Sequence, residues 1–173
     1  RFDEALEVYR FSCCLDDKNE QFAWAYFTAS RYFKRTEEAL DFLMRRFERF
    51  HHKSCGPIRT LFYALTLLDR TGDAFERIDQ ALLLRPDDGE LILFAADAFA
   101  RYGRYEESSR LLEKSRGKCK HADWLRTSAR LLHYEGELRG SLDLWRQVLE
   151  IEPLSMDAHR AVAARLIETE GRD

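Results

Sequence analysis

The sequence predicts an all-α solenoid of antiparallel helix hairpins, about ten helices long. The first observation is a helix pair written out twice between Gly89 and Pro153. One copy reads ELILFAADAFARY from Glu90, turns at Gly103-Arg104 and continues as YEESSRLLEKS from Tyr105. The other reads DWLRTSARLLHYE from Asp123, turns at Gly136-Glu137 and continues as LRGSLDLWRQV from Leu138. The second observation is the fixed period. Subtraction gives 33 for Ala96 to Ala129, Phe99 to Leu132, Gly103 to Gly136, Ser108 to Ser141 and Leu112 to Trp145. A period of that size with a glycine turn in each unit marks stacked helical hairpins. The third is composition: 34% charged residues with only three prolines and eight glycines suits a chain that is mostly helix.

Taken in order, residues 1–17 read as the second helix of a truncated repeat, with Phe2, Ala5, Leu6, Tyr9 and Cys13 recurring at three and four. Asp16-Asp17-Lys18-Asn19 is a polar turn suited to cap the next helix. Residues 20–53 form the first full repeat. Its opening helix is aromatic on several faces (Phe22, Trp24, Tyr26, Phe27, Tyr32, Phe33), which calls for neighbours on two sides. Arg35-Thr36 turns the chain into EEALDFLM, and Ala39 lies 34 beyond Ala5.

Residues 57–87 form a degenerate repeat. Pro57 suits a first helical turn, and Thr71-Gly72-Asp73 reads as the stop. The partner helix, from Ala74 to about Leu84, looks short, because Gly72 to Pro86 spans 14 residues against 17 from Gly136 to Pro153. A local irregularity is expected there. Residues 89–121 and 122–155 are the two regular repeats, and 156–171 is a first helix without its partner. The whole chain, 1–173, is thus expected to be one array. Each hairpin has too little apolar surface alone, and stacking buries a continuous core. Small residues (Ala96, Ala129, Ala163) admit close helix approach, and Tyr105, Leu112, Leu132 and Trp145 fill the space between hairpins.

A bulky residue, a small Ala, an aromatic or leucine before a Gly turn, then Tyr-x-x-Ala/Ser and a closing Pro resembles the tetratricopeptide repeat (TPR). The residues that carry the resemblance are Ala96 with Phe99 and GRYEES (103–108), Ala129 with Leu132 and Gly136-Glu137-Leu138, and the closures LRP (84–86) and LEIEP (149–153). FDEAL (2–6) fits the same consensus. Leu61, Ile92, Leu125 and His159 stand where the family usually has tryptophan. The resemblance implies a right-handed superhelix with ligand held in a concave groove lined by first helices. Carried over residue by residue, it names Gln21, Trp24, Thr28, Arg31 and Tyr32 on the first such helix. The second supplies Arg59, Phe62, Tyr63, Thr66 and Arg70; the third supplies Glu90, Leu93, Phe94, Asp97 and Arg101. Asp123, Arg126, Thr127, Arg130, His133 and Tyr134 come next on the fourth, and Arg160 on the last.

Arg126 and Arg130 lie one turn apart, with Arg160 about one repeat on, so the trio is suited to a carboxylate or phosphate. The alternative is pairing with Asp97, Asp123 or Asp157, or plain solvation. Trp24, Phe62, Tyr63 and Phe94 are suited to anchor a peptide's apolar side chains, or else to fill hairpin core. The family's clamp for chaperone C-termini needs Lys and Asn where this chain has Trp24 and Thr28, so that ligand is not expected.

The function expected is a scaffold for an unidentified protein or peptide, within a larger protein. The alternatives are an RNA-binding helical-repeat module and a self-association or spacer domain of a larger enzyme. A net charge of -3 gives no global field for nucleic acid or anionic lipid. Self-association would use apolar faces of the end helices (Phe2, Leu6, Tyr9; Val162, Leu166). No phosphate loop, HExxH or G-x-S-x-G occurs, so no catalysis and no cofactor are expected. His51, His52 and Cys55 share a loop, and Cys119 and His121 a later one, with spacing wrong for a zinc finger. Four cysteines without a CxxC suit free thiols in a reducing, cytoplasmic setting, and no apolar run is long enough to span a membrane.

Overall fold

The computed structural model describes residues 2–15 and 19–171; the Asp16–Lys18 turn and the side chains of Phe2 and Glu170 lie outside that description. The described residues form ten α-helices and no strand: α1 (Phe2–Leu15), α2 (Glu20–Tyr32), α3 (Thr36–Phe50), α4 (Gly56–Leu67), α5 (Thr71–Leu84), α6 (Gly89–Arg101), α7 (Tyr105–Ser115), α8 (His121–Tyr134), α9 (Leu138–Ile151) and α10 (Met156–Glu170). They fall into two compact units, 1–85 and 86–173.

In the first unit each helix packs on the next, and α2 also packs on α4, so first helices neighbour one another. Asn19 opens α2 from an extended conformation, its Oδ1 accepting the Gln21 N–H at 3.1 Å. The aromatic excess of α2 is spent inward: Phe27 is fully buried, and Tyr26 meets Phe42 of α3 edge-on at 5.0 Å. Leu40, Leu43 and Phe47 bring α3 into the same core, while Ile58, Leu61 and Leu65 do so for α4.

Glu20, Arg46 and Thr60 tie α2, α3 and α4 together. Glu20 accepts from Arg46 Nη2 at 2.8 Å and from the Thr60 hydroxyl at 2.6 Å, although these residues stand 26 and 40 positions away in the chain. Gly56 makes room for this, since a Cβ there would come within 2.8 Å of Glu20 Cγ.

In the second unit α6 packs on α7 and α8, and α9 packs on α8 and α10. The period is visible in single bonds. Ser108 Oγ donates to the Ala96 carbonyl at 2.8 Å, and Ser141 Oγ donates to the Ala129 carbonyl at 2.7 Å. All four residues are completely buried. Ala and Ser let the two helices of a hairpin meet, and the serine hydroxyl gains its partner across that contact. Tyr105 OH of α7 donates to the Tyr134 carbonyl at the end of α8 at 2.8 Å. Trp124 Nε1 of α8 donates to the Leu112 carbonyl of α7 at 3.0 Å, which also accepts from the Ser115 hydroxyl, so side chains of each helix satisfy carbonyls near the end of the other. Gly89 is required sterically, because a Cβ there would stand 2.1 Å from the Lys118 carbonyl oxygen.

Four hairpins close by one backbone device. The N–H of Arg35, Arg70, Arg104 and Glu137 bonds to the carbonyl of the residue five back, namely Ser30, Leu65, Phe99 and Leu132. The residue just before each donor has positive φ: Lys34 (61°), Asp69 (58°), Gly103 (77°) and Gly136 (87°). This is the Schellman closure, which needs one left-handed residue.

It corrects the reading of the second of these hairpins, α4–α5. Thr71-Gly72-Asp73 is not the stop but the first turn of α5, and the turn is made by Asp69. With that shift α5 has 14 residues, the same as α9, so the short helix expected there is not present. The positions that replace the family's tryptophan also divide. Leu61, Ile92 and Leu125 are buried as a tryptophan would be, but His159 is exposed and engages the Pro153 carbonyl at 2.8 Å.

The ends differ from expectation in detail. Leu6 is buried, and the apolar side chains that α1 exposes are Val8, Phe11 and Leu15 alongside Tyr9. Val162 is half-buried against the cluster formed by Leu125, Ala129, Trp145, Val148 and Ala158, and Leu166 is also only partly exposed. Ala158, not Ala163, is the small residue that α10 buries.

Candidate functional site

First helices in each unit carry the side chains that the sequence nominates for binding. On α2, Trp24 leans on Phe27 with ring centroids 5.7 Å apart and keeps about a third of its surface open. Thr28 is turned inward on its own helix, its hydroxyl donating to the Trp24 and Ala25 carbonyls at 3.0 and 3.1 Å. Tyr32 is 83% exposed at the end of α2 and meets Phe33 edge-on. On α4 the aromatic pair splits. Phe62 is 1% exposed and packs edge-on against Phe75 at 5.4 Å, whereas its neighbour Tyr63 is 38% exposed. The Thr66 hydroxyl is bound to the Tyr63 carbonyl. Phe62 is therefore core rather than a peptide anchor, and Leu93 and Phe94 on α6 are buried likewise.

In the second unit the polar candidates are held in two clusters. Asp97 of α6 gives one carboxylate oxygen to Arg130 Nε of α8 at 2.5 Å and the other to Arg101 Nη2 at 3.0 Å. Arg130 also reaches the Thr127 hydroxyl at 3.3 Å. Asp97 is nearly buried, but the two guanidiniums that it holds keep 43% and 37% of their side-chain surface open. The pairing follows from spacing: four residues along α6 for Arg101 and one period of 33 for Arg130.

Arg126 occupies the second cluster. Its Nη1 reaches Asp123 at 3.1 Å, its Nε reaches Asp157 at 3.1 Å, and its Nη2 binds Glu152 and the Ser155 hydroxyl. Its side chain is only 14% exposed. The Arg126 hydrogen bond is the chief cause that holds the Glu152 carboxyl below its ordinary range. The Asp157 carboxyl is lowered first by the Ser155 hydroxyl and then by the Arg126 charge.

The three arginines are thus not one open anion site. Arg126 is enclosed by acids from the α9–α10 connection and from α8 and α10, and Arg130 is paired with Asp97; Arg160 is exposed on α10. Two of the acids, Asp97 and Asp157, stand one period from the arginine that they bind, or nearly so. Glu152 carries no such signal, because it lies in the closing LEIEP segment rather than on a first helix. His133 and Tyr134 end α8 half-buried, their rings 5.6 Å apart, and His133 Nδ1 has no hydrogen-bond partner among the described residues.

His51 Nδ1 faces the Phe47 and Glu48 carbonyls, and Cys55 is buried. Among the described residues no three His, Cys, Asp or Glu side chains come together as a metal site. The four cysteines are free thiols. No helix of the described residues is long and apolar enough to cross a membrane.

Comparison with solved structures identifies the fold. The chain superimposes on TTC0263, a thermophilic TPR protein of Thermus thermophilus, with a TM-score of 0.69 over 96% of this chain and 91% of that one, at 17% identity. A tetratricopeptide repeat protein of Parabacteroides merdae matches with a TM-score of 0.65 over 99% of this chain and 74% of its own, at 14% identity. YrrB, described as a TPR protein with an unusual peptide-binding site, matches with a TM-score of 0.56 over 92% and 82%, at 19% identity. No family model matches the sequence. No curated protein matches it either. The chain has the TPR fold.

Proposed function

We propose, with the TPR fold as premise, that this chain is a scaffold that binds a protein or peptide on the faces of its first helices. The observation that carries the reading is the set of side chains left open there once the core is filled. Trp24 and Tyr63 present aromatic surface in the first unit, and the Arg101–Asp97–Arg130 cluster presents two half-open guanidiniums in the second. Aromatic and arginine side chains are the usual energetic anchors of protein interfaces. The similarity to YrrB supports a peptide as the ligand, since that protein is described by its peptide-binding site.

The test is selection of a displayed peptide library on the wild-type chain, with selected peptides then titrated against Trp24→Ala/Tyr63→Ala and Arg130→Ala variants. All three side chains are partly open, so the variants should keep wild-type helicity by circular dichroism. A loss of roughly tenfold or more in affinity for either variant is the result expected of interface anchors. Peptides that bind every variant equally well would overturn the assignment. If the library yields no binder while the chain retains RNA in a nuclease-sensitive, steeply salt-dependent manner, the helical-repeat RNA reading replaces it. Arg126 is avoided as a probe, because its replacement would disturb the packing of α8, α9 and α10.

A further inference from the structure

The first unit contains a cleft of about 430 Å³ between α1 and α3, away from the first-helix faces. Cys14, Phe42, Arg45, Arg46, Arg49 and Phe50 line it, with Cys13 at its buried edge. Its charge is one-sided. Three guanidiniums come from a single stretch of α3, and no acidic side chain is among these lining residues. Arg46 is committed inward to Glu20 at 2.8 Å. Arg45 and Arg49, one helical turn apart and both exposed, form no ion pair among the described residues.

The aromatic wall concentrates the charge further. The Phe50 ring has Arg46 Cζ at 5.4 Å, Arg49 Cζ at 5.2 Å and Lys53 Nζ at 5.1 Å from its centroid. Arg46 is balanced by Glu20, and one ring quadrupole offsets little of the two positive charges that remain on Arg49 and Lys53. A concave site with apolar walls and like charges focuses positive potential on whatever enters.

We propose that this cleft binds the phosphate monoester of an aromatic or similarly apolar group. Two guanidiniums with no ion pair among the described residues match a dianion better than a single carboxylate, and their planar forks suit phosphate oxygens. Phe42 and Phe50 supply the surface for the organic part. The cleft volume lies in the range of sites that enclose small ligands. The same chemistry reaches the cleft from two sources: a free aryl phosphate, or a phosphotyrosyl side chain on another protein.

Cys14 provides a reporter, because it is exposed on the cleft wall while Cys13 is buried. Burial, the leading cause, pushes the Cys13 thiol upward, so it should not compete for an alkylating reagent. The experiment follows alkylation of the full chain at Cys14 by peptide mass spectrometry, with phenyl phosphate, benzoate, inorganic phosphate or a phosphotyrosyl peptide added. Phenyl phosphate is expected to slow labelling at concentrations roughly tenfold lower than benzoate or inorganic phosphate requires. Arg45→Gln/Arg49→Gln should abolish that protection, while Arg110→Gln on α7 should leave it intact. Both substitutions in the first variant are at exposed positions, so helicity should survive.

Protection by the peptide at or below the ester's concentration assigns the site to a phosphorylated partner; protection by the ester alone assigns it to a free metabolite. Equal protection by benzoate, equal protection by inorganic phosphate, or no protection by either phosphate ester overturns the proposal.

Discussion

Ser108 and Ser141 show what a single residue contributes when its surroundings repeat. Each is fully buried, and each hydroxyl has one partner, the carbonyl of an alanine on the facing helix. Replacing either by alanine removes the donor without leaving a cavity of consequence, and should cost about 1 kcal/mol in urea unfolding, equally for the two sites. Phe47 is the opposite case: 1% exposed and large, it should cost about 3–5 kcal/mol when truncated to alanine.

Arg126 adds a pH dependence. Glu152 and Asp157 have their carboxyls held below ordinary values, so their contribution is complete at neutral pH and is lost as pH falls through the folded-state values. Arg126→Ala should therefore be less stable than wild type at neutral pH. Thermal melts of the two should converge as pH falls below the ordinary carboxylate range and through the lowered folded-state values of both groups. A gap that stays constant down the pH scale would show that Arg126 acts through packing alone. The sequence offered Asp123 and Asp157 as partners only as the alternative to an open anion site. Glu152 escaped notice because the bend after α9, which the sequence does not specify, brings it back.

At the scale of the element, the four Schellman closures separate what composition reveals from what it hides. Gly103 and Gly136 announce their turns, since glycine occupies the left-handed region without penalty. Lys34 makes the same turn at φ 61° with nothing in its identity to say so, and Asp69 makes it at φ 58° with only the modest tolerance of aspartate for that region as a sign. Gly72, which looks like the signal, lies inside α5, and a Cβ there would meet nothing within 4 Å. These assignments predict opposite signs for similar changes. Gly103→Ala should cost about 1 kcal/mol, because alanine is strained at that φ, while Gly72→Ala should gain about 0.5–1 kcal/mol by restricting the unfolded chain. Lys34→Gly should also stabilise, by about 1 kcal/mol, through release of left-handed strain. Chemical denaturation of the three variants settles all three signs. Element positions were legible wherever periodicity and glycine agreed. The Glu20–Arg46–Thr60 tie was not legible, because its members share no local pattern and meet only when three helices have packed.

On the scale of the whole molecule, the contacts gather into residues 1–85 and 86–173, each with its own core. In helical-repeat chains stability is close to a sum of local terms and nearest-neighbour interfaces. Phe47→Ala should therefore lower hydrogen-exchange protection throughout α2, α3 and α4 while changing α8 and α9 much less. Uniform loss across all ten helices would mean that the chain opens as a single cooperative body. Fold class and hairpin order could be read at this scale because they depend on period alone. The candidate binding faces could be read only in part. Whether Phe62 or Tyr63 turns outward depends on rotation of α4 about its axis, which adjacent aromatic residues in a sequence do not reveal.

The backbone bond that closes each hairpin also bears on how such a chain diverges. Its donor and acceptor are both main-chain groups, so the position before the donor must meet a pair of dihedral angles and need not carry a particular side chain. Lysine, aspartate and glycine all meet that requirement here, at costs small enough for the rest of the hairpin to absorb. Copies of a hairpin can therefore drift apart letter by letter after duplication while their turns remain superimposable. In this lineage of shapes, what is inherited is a torsion angle.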